Sequence, residues 1–218
     1  MNEVSLPLIL EVTARTLAVC GLALAVALAL GLPAGVWLGR RRFRGRVLGV
    51  SLVNSGMGAP PVVVGLLVSM AFWRSGPFGF LEWMYTPTAM VIAQVVIALP
   101  LVVGITLAAV GALDEDWELQ ARTLGIPPLR RAWLLLREIR LGVLAAVIAA
   151  LGGILSEVGA VLAVGGNLAG ETRVLTTAIL MYTQMGEFEL ALAMAAVLLG
   201  LTLVLAGGLT VVQQGGRS

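Results

Sequence analysis

Glu157 stands alone as a charge inside the apolar run Leu141–Val164. An ionised side chain at membrane depth costs about 2.5–3.5 kcal/mol on insertion scales, so such an acid is partnered or functional. Upstream, Asn54-Ser-Gly-Met-Gly-Ala-Pro-Pro61 sets two polar side chains before tandem prolines. Pro60 and Pro61 remove two backbone donors. The carbonyls they free need partners that lipid cannot offer, so this break faces protein or a watery cavity. It is either a structural kink or the wall of a pathway.

A third group lies between two apolar runs. Asp114, Glu115, Asp116 and Glu118 open a segment that closes at Gly125-Ile-Pro-Pro128. Negative charge suits a helix N-terminus, with Asp116 as the expected N-cap. Gly125 suits the C′ position, and Pro127-Pro128 forbids continuation. The spacing predicts a short helix presenting Trp117, Leu119, Arg122 and Leu124. A second helix is expected to start near Pro128 and run into the next apolar stretch. The segment reads either as an amphipathic connector resting on headgroups or as a surface gripped by a partner.

Some chemistry is excluded. All fourteen basic residues are arginine. A phosphate-binding P-loop needs a lysine, so the chain is not expected to be its own ATPase. With no histidine and one cysteine, Cys20, neither an intrachain disulfide nor a His/Cys metal site is expected.

The elements that must position these residues are apolar. Hydrophobic residues make up 59% of the 218-residue chain and charged ones 12%, whereas soluble domains average about a quarter charged. A membrane-crossing helix needs roughly 20 apolar residues. We expect a single all-α membrane domain over 1–218. Its spans are predicted at about 16–39, 47–73, 86–113, 139–164 and 190–212, with a loop at 114–138. Residues 1–15 are expected to form a short interfacial segment, with Leu6, Ile9 and Leu10 on the lipid side and Glu3 and Glu11 in water. Met-Asn-Glu lacks the basic start of a signal peptide, so the first span is expected to be a retained anchor.

Arginine sets the orientation. Arg40, Arg41, Arg42, Arg44 and Arg46 follow the first span, Arg122, Arg130, Arg131, Arg137 and Arg140 lie between the third and fourth, and Arg217 ends the chain. Arg15, Arg74 and Arg173 fall on the other side. Positive residues stay in the cytoplasm, so the N-terminus is expected outside and the C-terminus inside. The net charge of +2 is thus a topology signal and not a nucleic-acid footprint. Gly31, Gly35 and Gly39 form a doubled small-xxx-small pattern for close helix packing. Gln94 and Pro100 mark the third span, as an interhelical hydrogen bond and a kink.

Gln120-Ala121-Arg122-Thr123-Leu124-Gly125 resembles the cytoplasmic signature loop of ABC importer permeases, Glu-Ala-Ala followed by three residues and Gly. Ala121 and Gly125 match. Leu119-Gln120 replaces the Glu-Ala half, and an acid stands one place early at Glu118. Leu135-Leu-Arg137-Glu138 stands where the family has Ile-x-Leu-Pro. More of the chain is similar to the tungstate-specific permeases of the molybdate/tungstate/sulfate group: Gly58-Ala-Pro-Pro-Val-Val-Val-Gly65, Tyr85-Thr-Pro-Thr-Ala-Met90, Ser156-Glu-Val-Gly-Ala160, Gly165-Gly-Asn167 and Thr172-Arg-Val-Leu-Thr-Thr-Ala-Ile179.

The resemblance implies a type I ABC importer permease in the cell (inner or plasma) membrane. It implies a homodimer of this chain, two ABC ATPase subunits that use ATP and Mg, and an extracytoplasmic substrate-binding protein. No cofactor of its own and no nucleic acid are implied; membrane lipid surrounds it. Glu118, Gln120, Ala121, Arg122, Thr123, Leu124 and Gly125 would form the ATPase-coupling loop. The cargo would be a tetrahedral oxyanion, most naturally tungstate, with molybdate, sulfate or another solute as alternatives. From another class, a self-sufficient secondary carrier or channel is also weighed.

A dianion is met by hydrogen-bond donors and modest positive potential. Asn54 and Ser55 before Pro60 and Pro61, and Asn167, Thr172, Arg173, Thr176 and Thr177 at the outer mouth, are the pathway candidates. Arg173 could instead pair with Glu171 or a lipid phosphate, and the threonines could cap backbone. Glu157 would repel a dianion. Its expected role is interhelical bonding or holding a closed outer gate.

Overall fold

The computed structural model describes residues 6–114 and 116–215, all of whose regular elements are helical. The expectations for Glu3, Glu115 and Arg217 therefore lie outside the described residues. The first helix, α1 (Leu6–Arg40), takes in the stretch expected to lie separately on the interface. The reason is burial: Ile9 and Val12 pack with Leu175, Tyr182 and Met194 in a second small core. A helix whose first turns bury one face on the protein has no cause to break before it enters the membrane.

At the centre is α4 (Pro87–Gly111), started by Pro87 at its first position and capped by Thr86. Its Met90, Ala93, Ala98 and Val102 are fully buried. Pro100 stays within the continuous helix. Three glycines of α1 meet three residues of α4 at the same four-residue step. A Cβ on Gly31, Gly35 or Gly39 would lie 2.6 Å from Val102, 2.7 Å from Thr106 or 2.8 Å from Val110. Small residues let two backbones approach where lipid gives no hydrophobic drive to associate. Gln94 adds a polar tie, its Nε2 reaching the Ile154 carbonyl at 3.5 Å.

Two of the expected spans are not continuous helices. The second is α2 (Arg46–Met57) and α3 (Pro61–Phe72), bent by 105° at the Gly58–Pro60 break. The fourth, expected over 139–164, is α7 (Arg140–Ser156) broken before α8 (Gly159–Gly165), and α6 (Pro128–Glu138) of the preceding loop meets α7 at 68°. The second helix of the loop thus stops at Ile139 and does not run straight into the span. Among the described residues three helices are long and apolar enough to cross a membrane, or up to five if each bent pair crosses once. Between α5 (Trp117–Thr123) and the last helix, α10 (Phe188–Gly215), lies one further helix that the sequence pattern did not suggest, α9 (Leu175–Gln184).

Candidate functional site

The two breaks meet. A Cβ on Gly159, at the start of α8, would lie 2.6 Å from Val62 at the start of α3. One turn on, a Cβ on Gly65 would lie 2.5 Å from the Ala160 Cα. The helices beyond Pro60-Pro61 and beyond Glu157 are therefore in backbone contact. Glu157 is 8% exposed. Its Oε1 accepts the Ala160 N–H at 2.9 Å, so the acid caps the helix restarting after it. Its own carbonyl, left open by the break, accepts the Thr176 hydroxyl at 3.0 Å. Among the described residues no arginine pairs with it. The buried carboxyl is met by a backbone N–H, as a helix N-terminus allows.

The residues expected at the outer mouth form a hydrogen-bonded loop. The chain leaves α8 through Gly166 and Asn167, both in the left-handed region (φ 69 and 54). The Thr172 hydroxyl donates to the Gly165 carbonyl and accepts the Leu168 N–H. Arg173 turns to the Asn167 carbonyl at 3.5 Å and makes no ion pair with Glu171 among the described residues. Its Nε and the Asn167 Oδ1 are buried without a hydrogen-bond partner among the described residues. Thr177 exchanges hydrogen bonds with the Val174 backbone at the head of α9. Asn54 and Ser55, by contrast, lie exposed on α2, a helix with no buried residue.

Two residues that sequence reasoning did not assign hold this loop to α1. Arg15 donates to the carbonyls of Gly170 (2.6 Å) and Arg173 (3.4 Å) while pairing with Glu11. Thr16 accepts the Leu175 N–H at 2.9 Å, so a side chain from α1 serves the start of α9. The available signal was Arg15 itself, one of three arginines on the arginine-poor side.

At the opposite end, α5 is a seven-residue helix. Asp116 occupies its N-cap position but makes no side-chain cap. Its backbone is already helical, whereas a capping residue is extended; the Asp114 carboxylate accepts the Asp116 N–H instead. At the other end Gly125 has φ 68. The Gly125 N–H reaches the Arg122 carbonyl and the Ile126 N–H reaches that of Ala121, a complete Schellman pair. Ala121 is buried; Gln120, Arg122, Thr123 and Leu124 are exposed, Leu124 by 75%.

The displaced acid is the hub. Glu118 pairs with Arg40 at 2.6 Å, Arg122 at 3.0 Å and Arg131 at 3.2 Å. The Arg40 guanidinium also sits over the Trp117 ring, 4.9 Å from its centroid. Partial burial pushes the Glu118 carboxyl up, but the Arg122 hydrogen bond and the charges of Arg40, Arg122 and Arg131 outweigh it and hold the group below the usual glutamate range. The loop is thereby fastened to the end of α1 and to α6.

Residues 31–217 match the family described as binding-protein-dependent transport system inner membrane component. A probable anion ABC transporter permease protein of Haloferax volcanii is 40% identical, over 93% of this chain and 90% of its own length. The tungstate uptake system permease protein TupB of Peptoclostridium acidaminophilum is 40% identical over 81% of this chain and 78% of its own. The molybdenum transport system permease protein ModB of Haemophilus influenzae is 30% identical over 67% and 68%.

Proposed function

From the chain's membership of the binding-protein-dependent transport system inner membrane component family, as an ABC permease of the tungstate, molybdate and sulfate group, we propose that its cargo is tungstate. It is a multi-pass transport subunit, not an enzyme. The observation that carries the choice of cargo is the 40% identity to a tungstate uptake permease. Family membership sets aside the self-sufficient carrier. It also implies a substrate-binding protein and an ATPase as partners.

The finer reading is ours. The chain pairs with a second copy and with two ATPase subunits that use ATP and Mg. Its N-terminus lies outside and its C-terminus in the cytoplasm; the asymmetry of arginine supports this. The α5 helix and Gly125 dock on the ATPase; the exposed Gln120, Thr123 and Leu124 support that reading. The junction of the broken helices belongs to the translocation pathway. Non-helical backbone at membrane depth is tolerated where it meets protein or lines a cavity. Pro60, Pro61, Glu157 and Thr176 are the residues at that junction, and Asn167, Thr172, Arg173 and Thr177 shape its outer mouth. Asn54 and Ser55 are polar groups that lipid would not tolerate, and we assign them to the pathway side of α2.

Uptake of labelled tungstate, challenged with molybdate and sulfate, tests the cargo. Molybdate and sulfate are expected to compete weakly; equal competition by all three would sink the tungstate assignment. In the same assay Glu157 is tested as the holder of the outer gate. Glu157→Gln keeps an oxygen for the Ala160 N–H and is expected to transport close to normally. Glu157→Ala loses a cap worth about 0.5–2 kcal/mol and is expected to lose most uptake. Normal uptake by the alanine variant would dismiss the gate.

A further inference from the structure

At the arginine-rich end a cavity of about 1120 Å³ opens between α1, the turn after it, the end of α4, α5 and α6. Its walls are of two kinds. Leu32, Pro33, Val36, Leu135 and Leu136 make an apolar side, continuous with the membrane-crossing part of α1. Arg40, Arg41, Arg42, Arg46 and Arg122 make a cationic side. Two carboxylates also line it, Asp114 and Glu118. Glu118 is already shared among Arg40, Arg122 and Arg131, and Asp114 accepts a backbone N–H.

Two of the arginines keep donors to spare. Arg41 is exposed and its side chain makes no bond among the described residues. Arg46 spends its Nε on the Leu38 carbonyl at 3.1 Å, and its terminal nitrogens make no further bond among the described residues. Beside them Trp37, half exposed, packs on Phe43 with centroids 4.8 Å apart. Such a ring pair suits the headgroup depth of a bilayer.

We propose that this cavity holds one anionic phospholipid, its phosphate on Arg41 and Arg46 and an acyl chain along Leu32, Val36 and Leu136. Guanidinium groups recognise phosphate through paired charge-assisted hydrogen bonds. Basic pockets between membrane helices on the cytoplasmic side suit anionic headgroups. A free oxyanion would gain nothing from the apolar wall, and a zwitterionic lipid would bring its own cation beside Arg41 and Arg46. The proposal rests on the inside placement of this end.

The test is native mass spectrometry of the full chain in detergent, incubated with equimolar phosphatidylglycerol and phosphatidylcholine. Phosphatidylglycerol adducts are expected to exceed phosphatidylcholine adducts roughly tenfold. Arg41→Gln, which removes no side-chain bond among the described residues, and Arg41→Gln with Arg46→Gln should bring the ratio stepwise towards parity. Equal retention by the unaltered protein, or an undiminished preference in the double variant, would overturn the proposal. Displacement of phosphatidylglycerol by millimolar inorganic phosphate would overturn it too, assigning the site to a free anion. Orientation is read separately. A Cys20→Ser, Arg44→Cys variant should react with an impermeant maleimide only after cells are opened. Labelling of intact cells would overturn the inside placement, whereas the lipid preference in detergent holds or fails independently of it.

Discussion

Gly35→Leu should sharply reduce the yield and melting temperature of folded, detergent-extracted protein. A Cβ at position 35 would sit 2.7 Å from the Thr106 Cβ and 2.8 Å from the Val103 carbonyl oxygen. The second of these is backbone and cannot rotate aside. Extra methylenes in a well-packed interface cost about 1–3 kcal/mol. Here the loss is direct, because helix association in lipid depends on packing itself. The control lies on the same helix. Gly21 is exposed and a Cβ there meets nothing within 4 Å, so Gly21→Leu should behave as the unaltered chain. Size-exclusion profiles and thermal stability of the two variants decide the matter. Indistinguishable behaviour would mean that the α1–α4 contact does not hold the fold.

Glu118→Arg should leave the fold intact and uncouple transport from ATP hydrolysis. The substitution turns an acid shared by three arginines into a fourth cation beside them. Each exposed pair is worth only about 0.2–1 kcal/mol, so global stability should move little. The expected effect is on coupling: a roughly tenfold loss of the hydrolysis that cargo-loaded binding protein stimulates in the assembled complex, in line with a loss of about 1.4 kcal/mol. Arg40→Glu in the same chain restores an opposite charge across the α1–α5 contact and should recover part of it. Unimpaired stimulation in the single variant would show that the ion cluster is not part of coupling.

The pH dependence has a fixed sign. Because the folded carboxyl is held below its usual range, its contribution is present at pH above the unfolded value. It fades only as pH falls through the lowered folded value. Coupling should therefore be flat from neutral to mildly acid pH as far as Glu118 is concerned. A drop across that range that disappears in Glu118→Gln would contradict the assignment.

What the sequence could and could not disclose follows from the range of the interactions. Gly31, Gly35 and Gly39 announce a close packing face because the spacing of one helix turn is local. Pro60-Pro61 announces a break for the same reason. The second break carries no such mark: Ser156-Glu157-Val158 would sit in a helix, and what ends it is a side chain turning to cap the next one. α9 has only ten residues and carries Thr176, Thr177, Thr183 and Gln184 among them, so no apolar period reveals it. Arg15 and Glu118 find their partners 155 residues and 78 residues away along the chain, the first measured to Gly170 and the second between positions 40 and 118. No pattern in the neighbouring residues encodes those contacts. The missing Glu at position 119 reads as a departure from the family loop until the position of Arg40 is known.

The glycine-lined first helix has a mechanical consequence. α1 continues from Leu6 to Arg40, roughly 52 Å by helical rise, while the second and fourth apolar runs are each broken. Near one end Arg15 and Thr16 grip the 166–174 loop; at the other Arg40 grips Glu118. Those grips are about 38 Å apart along the helix. The jointed members lie beside one continuous helix, which carries Pro33 between its two grips. The two loops therefore share a single anchor: each is fastened to the same helix, one through Arg15 and the other through Arg40.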